Sequence, residues 1–232
     1  MTRFDGLRFE GRAAVITGAA RGQGRSHAVR LATEGADVIA LDICHDIDTV
    51  AYDLATSADL KETERLVADQ GRRVVTAEVD VRDAEALTRA IVEGARQLGG
   101  VDVVLTSSAF GLTGRGGDGS AGGDGYVASK HGVVGLMRTF ATWLAPHGIR
   151  VNCVNPTGVA TRMVLNPAVE ALFGGGDDPA PDPKPVDDVT NLFDVPLVEV
   201  QDVTAAVAFL SSDEARYITG VALPVDAGML VR

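Results

Sequence analysis

The chain has 232 residues, 46% of them hydrophobic and 23% charged, and a net charge of −11, a balance that suits one α/β domain with a sizeable core. No uncharged apolar stretch is long enough to span a bilayer, residues 1–10 lack the pattern of a signal peptide, and no basic patch is offered to a phosphate backbone, so neither membrane nor nucleic acid is an expected partner. Cys44 and Cys153 lie far apart without metal-ligand spacing; they read as two thiols of a reducing compartment, no metal is expected, and the expected location is cytoplasmic.

The apolar run Ala13-Ala14-Val15-Ile16, within 12–17, predicts a buried parallel strand. A glycine-rich stretch follows, Thr17-Gly18-Ala19-Ala20-Arg21-Gly22-Gln23-Gly24, and then a helix over 26–34, with Ala28, Val29, Leu31 and Ala32 at helical spacing and Gly35 as its stop. A second strand over 37–41 ends at Asp42, a polar-faced helix covers 58–70, and a third strand over 73–79 leads into Asp80-Val81-Arg82-Asp83. Residues 84–98 predict a helix with Leu87, Ile91 and Ala95 along one stripe, and 101–105 a further strand. Repeated strand–helix units of this kind predict an α/β fold, a Rossmann-type doubly wound parallel sheet.

A glycine turn that follows a strand and opens a helix is the setting in which a dinucleotide is bound. Gly18 permits the tight turn, and Gly22 and Gly24 leave room where backbone meets pyrophosphate and strand. The alternative is a glycine-rich turn without a ligand. Asp42 stands at the end of the second strand, about 20 residues on, where a carboxylate bonds the ribose 2′-OH and repels a 2′-phosphate. NAD is therefore expected over NADP. Arg21 is the one contrary sign, since an arginine in the turn could reach a 2′-phosphate.

In the second half, Thr106-Ser107-Ser108 closes an apolar strand, and Tyr126-Val127-Ala128-Ser129-Lys130 places a phenol and an ammonium at i and i+4 on one helix face. A cation held there favours the phenolate and makes an acid/base unit. That helix is predicted to open at Tyr126 and run towards Leu144, burying Val133, Val134, Met137, Phe140 and Ala141, with Trp143 also in the core; His131 points away from the pair. Of the two serines, Ser108 is the stronger catalytic candidate. Asn155-Pro156-Thr157-Gly158-Val159-Ala160-Thr161 precedes a glycine-, proline- and aspartate-rich stretch over 174–185 that reads as a solvated loop. A helix over 201–210 and a last strand over 221–225 close the chain before Asp226-Ala227-Gly228.

A hydroxyl, a Tyr-x-x-x-Lys and a Gly-x-x-x-Gly-x-Gly turn in this arrangement resemble the short-chain dehydrogenase/reductase family. The resemblance implies that Tyr126 exchanges a proton with the substrate oxygen and that Lys130 lowers its pKa and bonds the nicotinamide ribose. It further implies that Ser108 hydrogen-bonds the carbonyl or alkoxide, that Gly18, Arg21, Gly22, Gln23 and Gly24 line the dinucleotide, that Asp80 and Val81 flank the adenine, and that Pro156, Val159 and Thr161 lie beside the nicotinamide. From the residues themselves, Asp80 could equally cap the helix that begins at Ala84. A substrate lid is implied over about 162–200. The lengthened segment over 43–60, Arg25-Ser26-His27 and Leu223-Pro224-Val225-Asp226-Ala227-Gly228 are similar to the carveol-dehydrogenase-like, mycofactocin-associated subgroup, whose members oxidise apolar, often terpenoid, secondary alcohols with tightly held NAD.

The resemblance has one break. Val101-Asp102-Val103-Val104 is similar to the start of the family's Asn-Ala-Gly strand, and Leu105-Thr106-Ser107-Ser108 to the end of the following strand, yet the two are fused. A strand–helix–strand unit takes ~30 residues, so one strand and one helix fewer than the family standard are expected. Seven glycines in the twelve residues 114–125 then lengthen the path to Tyr126. Two functions follow as candidates: an NAD-dependent alcohol dehydrogenase or ketone reductase, and a dinucleotide-binding remnant with little or no turnover. Because one of the family's interface helices falls in the break, homo-oligomer formation is expected to be weakened.

Overall fold

The computed structural model describes residues 7–48, 50, 52–98, 103–114, 116, 117, 119, 121–166 and 191–231. Two compact units divide the chain between residues 102 and 103, and each has its own three-stranded parallel sheet.

In the first unit β1 (Ala13–Thr17), β2 (Asp37–Asp42) and β3 (Val74–Glu78) pair in that order. Val15 stands against Ile39 and Leu41 against Ala77. β2 lies in the middle and is buried along its whole length, as an apolar run with two parallel neighbours and covered faces must be. α1 (Gly22–Thr33) joins β1 to β2, α2 (Ser57–Ala68) joins β2 to β3, and α3 (Ala84–Leu98) follows β3. Ala13, Ile39 and Leu41 cluster with Leu87, Ile91 and Leu98 of α3. Val38 and Ala40 alternate to the other face and are equally buried, while α1 and α2 pack on β1 and β2. α3 comes close enough that a Cβ on Gly94 would lie 2.6 Å from Ile39 Cδ1. The buried Asp37 carboxylate accepts from Arg73 N at 2.9 Å and Nε at 2.8 Å, and Arg73 Nη1 donates to Gln97 O at 2.8 Å, tying β2, β3 and the end of α3 together.

In the second unit β4 (Val103–Thr106), β5 (Val151–Pro156) and β6 (Ala222–Val225) pair in order, again in parallel. Alternation along β5 divides its neighbours. Val151 and Cys153 pack with Val134, Met137 and Ala141 of α4 (Ala121–Leu144). Val154 packs with Val203, Val207 and Leu210 of α5 (Val200–Ser211). The fold is Rossmann-type α/β, and among the described residues β4 is the only strand between α3 and α4.

Four expectations are corrected. α1 opens at Gly22, not at residue 26, because the glycine turn itself supplies the first helical turn. α4 opens at Ala121, five residues before Tyr126; Asp124 lies in its first turn, where a carboxylate favours the helix dipole, and accepts from Gly119 N at 3.3 Å. Trp143 is 67% exposed rather than core, since it lies about 200° around the helix from Ala141. The cap of α3 is Asp83, whose Oδ1 accepts from Ala86 N at 2.9 Å; Asp80 instead receives Arg82 N at 2.8 Å. The stretch 174–185 and most of the expected lid fall outside the described residues. Among those described, no helix is long and apolar enough to cross a membrane.

Candidate active site

Gly18 and Gly22 have φ of +65° and +56°, a left-handed region that side chains with a Cβ disfavour. A Cβ on Gly24 would lie 2.1 Å from Gly18 O, so the start of α1 can meet the end of β1 only with glycine there. The Oε1 of Gln23 is buried without a hydrogen-bond partner among the described residues. Asp42 is buried, and its carboxylate accepts from Ala20 N at 2.9 Å and from Cys44 N at 3.4 Å, which fixes it beside the turn.

The two arginines of the turn face α2 and the segment before it. Arg21 Nη1 and Nη2 donate to Leu54 O at 3.2 Å and Asp53 O at 2.5 Å. Arg25 donates from Nε to Thr63 Oγ1 at 3.0 Å and from Nη2 to Asp59 O at 2.7 Å, and also reaches Ala20 O. Val81 is exposed, and the Arg82 side chain and N–H hold the Asp80 carboxyl down at about 2. Cys44 is pushed up to about 11, first by burial and then by Asp42, so its thiol stays protonated at neutral pH.

In the second unit, β4 delivers Ser107 and Ser108 to a short 3-10 turn, Ala109–Gly111. Ser108 Oγ accepts from Phe110 N at 3.3 Å, and Ser108 O accepts from Asn155 Nδ2 at 2.8 Å. Tyr126 and Lys130 share one face of α4, with Lys130 Nζ 5.0 Å from the Tyr126 ring centroid. The Phe110 ring meets the Tyr126 ring edge-on at 6.5 Å. The serine turn therefore packs on the tyrosine through the residue two beyond Ser108.

Ser107 takes a different part. Its Oγ donates to Lys130 O at 3.2 Å, and a Cβ on Gly111 would lie 2.7 Å from the same oxygen. The turn that carries Ser108 is thus seated on the backbone of Lys130. Burial pushes the Lys130 ammonium below its ordinary range, opposed by Cys153. Burial pushes the Cys153 thiol up to about 11, against the Ser107 hydrogen bond and the Lys130 charge. His131 is exposed and turned back to Val127 O.

Pro156 ends β5 opposite Val225. Val159 forms a parallel bridge with Val198, made by Gly158 O and Ala160 N at 2.9 Å each, so the N–H and C=O of Val159 itself face away from Val198. Thr161 O accepts from Val164 and Leu165 N. Phe110, Gly111, Cys153 and Asn155 were not anticipated as parts of the site. Asn155 carried a readable signal, an amide preceding Pro156 at a strand end; the others are matters of packing that no spacing announces.

The sequence matches two family profiles, one described as "short chain dehydrogenase" over residues 12–115 and one as "Enoyl-(Acyl carrier protein) reductase" over residues 115–230. The two meet inside the glycine-rich run. The chain is 38% identical to the (-)-trans-carveol dehydrogenase of Rhodococcus erythropolis, covering 97% of this chain and 99% of that protein. That alignment runs over 275 positions against the 232 residues here, so at least 43 positions are filled by the relative alone. Among solved structures, carveol dehydrogenase from Mycobacterium avium in complex with NAD aligns at TM-score 0.86 and 43% identity over 97% of this chain and 99% of that one. A short chain dehydrogenase from Mycobacterium paratuberculosis bound to NAD gives 0.87 and 34% over 97% and 100%. With its glycine turn, its Tyr126/Lys130 helix and relatives matched from end to end, this chain belongs to the short-chain dehydrogenase/reductase family of oxidoreductases.

Proposed function

We propose that the protein is an NAD-dependent dehydrogenase that interconverts an apolar secondary alcohol, of terpenoid type, and its ketone. The observation that carries this is the Tyr126/Lys130 pair, with the ammonium 5.0 Å from the phenol ring and the Ser108 turn packed on the same tyrosine through Phe110. In the oxidation direction the ionised Tyr126 oxygen removes the alcohol proton, Lys130 stabilises that phenolate, and Ser108 Oγ hydrogen-bonds the substrate oxygen. Bound NAD supplies the acceptor for the hydride that leaves the carbinol carbon.

The residues of the glycine turn suit that cofactor. Gly24 lets the start of α1 close onto the end of β1, which holds the turn in its tight form, and the buried Asp42 carboxylate, fixed by Ala20 N, retains lone pairs for a ribose hydroxyl. The NAD in both solved relatives and the name of the Rhodococcus relative support the cofactor and the substrate class. This reading takes residues 1–232 as one dinucleotide-binding domain with a lid over about 162–200. Titration with NADH and NADPH should favour NADH by about tenfold or more, each decade being ~1.4 kcal/mol; equal or tighter NADPH binding rejects the cofactor. Turnover of small apolar secondary alcohols with NAD tests the rest.

A remnant that binds NAD without turnover is the second reading, favoured by the alignment positions that the relative fills alone. Binding of NADH with no oxidation of any alcohol would establish it. The same missing positions support weaker self-association than the family's usual tetramer, and light scattering that showed a tight, concentration-independent tetramer would overturn this.

A further inference from the structure

Arg21 is the residue of the glycine turn whose part is least obvious. A guanidinium beside the adenosine ribose would favour a 2′-phosphate by a charge-assisted, two-pronged hydrogen bond, and that would oppose the preference set by Asp42. Its geometry gives another role. Both terminal nitrogens are used, Nη1 on Leu54 O at 3.2 Å and Nη2 on Asp53 O at 2.5 Å. Those carbonyls belong to the lengthened segment between β2 and α2, and the turn that presents them is closed by a hydrogen bond from Leu54 N to Asp46 Oδ1 at 2.7 Å. The segment then runs straight into the capping box of α2, with Thr56 Oγ1 accepting from Asp59 N at 3.2 Å and Asp59 Oδ2 from Thr56 N at 2.9 Å. The other cation of the turn, Arg25, is engaged in the same direction, on Thr63 and Asp59.

We propose that Arg21 is a specificity residue that acts by being withheld: the carbonyls of Asp53 and Leu54 clamp its guanidinium, so the lengthened segment turns the donors that could grip a 2′-phosphate away from the ribose and leaves the choice of nucleotide to Asp42. Planarity suits the clamp, because one guanidinium can serve two adjacent carbonyls at once where an ammonium offers a single point charge. Backbone carbonyls also cannot be lost by side-chain substitution, so the selectivity is built into the path of the chain. The inference rests on the NAD reading above and deepens it.

The test uses the full chain and four proteins: wild type, Arg21→Ala, Asp42→Ala and the double variant. NADH and NADPH affinities are read by fluorescence titration, and the loop over 46–54 by hydrogen exchange with mass spectrometry. Removing Asp42 lifts the repulsion, so any contribution of Arg21 to a 2′-phosphate must then show. A clamped Arg21 gives the same ratio of NADPH to NADH affinity in Asp42→Ala and in the double variant, within about twofold, whereas a phosphate ligand gives about a tenfold fall in that ratio. Exchange over 46–54 should rise in Arg21→Ala relative to wild type. A tenfold fall in the ratio, or unchanged exchange, overturns the proposal. If no variant binds either nucleotide, the NAD reading fails, and the exchange data still decide whether Arg21 holds the loop.

Discussion

The two units hold their site residues by different means. In the first, the fixing contacts are hydrogen bonds that join charged side chains to backbone: Asp42 to Ala20 N, Arg21 to Asp53 and Leu54 O, Arg25 to Asp59 O. In the second, Ser108 and Tyr126 are set by neutral contacts: Phe110 packs on the tyrosine ring, Gly111 lies against Lys130 O, Ser107 Oγ donates to that same oxygen, and Asn155 Nδ2 donates to Ser108 O. Charge-assisted bonds tolerate small shifts, whereas a contact with no room for a methyl group does not. Apart from Gly24, which meets Gly18 O with no room for a Cβ, the first unit should therefore keep the geometry of its glycine turn under changes that ruin the second.

The widest separation of the two comes from Tyr126→Phe. It deletes the hydroxyl to which the proposed mechanism gives the proton transfer, and little else, so turnover should fall by about 100-fold or more while NADH affinity stays within about twofold. Steady-state oxidation of an apolar secondary alcohol, set beside a binding titration, measures both. Activity that survived unchanged would place the chemistry elsewhere.

How far these differences could be read in advance depends on what sequence records. The strand and helix order, the glycine turn, Asp42 and the Tyr126/Lys130 spacing were legible because each depends on residue type at a fixed interval. The start of α4 was not: its first five residues include Gly122, Gly123 and Gly125, and propensity alone assigns such residues to a loop. Arg21 was ambiguous because its partners are carbonyls, which every residue possesses. Trp143 was misassigned because apolar character was followed without regard to its angle around the helix. The cap of α3 was readable, since Asp83 directly precedes Ala84, and the correct choice lay three residues beyond the one considered.

Acid stability tests the first unit by itself. His27, on the buried side of α1, has its pKa lowered to about 4 by burial. Its folded-state pKa lies below that of the unfolded chain, so between about pH 6.5 and 4 the unfolded state binds the extra proton and stability falls as the pH falls. The full effect is about 3 kcal/mol, present as added stability above pH 6.5 and lost through that window. Urea unfolding at pH 7 and pH 4.5 should show a steep loss in wild type and a shallower one in His27→Gln. Equal slopes would mean that His27 is charged in the folded protein.

The second unit's dependence on close packing can be tested on α4 and the turn it carries. Gly111→Ala places a Cβ 2.7 Å from Lys130 O, and overpacking of this kind costs about 1–3 kcal/mol. Gly132 and Gly135 lie on α4 with nothing within 4 Å of a Cβ, so alanine there should stabilise by about 0.5–1 kcal/mol through helix propensity. Thermal melts of the three variants should therefore change in opposite directions. Three equal shifts would show that the turn is not seated on the helix.

Ser107→Ala is the finest of these probes. It removes the neutral hydrogen bond to Lys130 O, worth about 1 kcal/mol, together with the Ser107 contact to the Cys153 thiol, and leaves Ser108 and the Tyr126/Lys130 pair in place. If the hydroxyl only stabilises the fold, kcat at saturating substrate is unchanged and the melting temperature falls slightly. If it holds the Ser108 turn in register with the tyrosine, kcat falls about threefold to tenfold with NADH affinity unaltered, since a small misplacement of a reacting group weakens catalysis before it weakens binding. Ser107→Thr retains the hydroxyl and should restore the rate. We expect the second pattern, because Ser107 Oγ and Gly111 converge on the same carbonyl oxygen from the two ends of the turn that carries the serine.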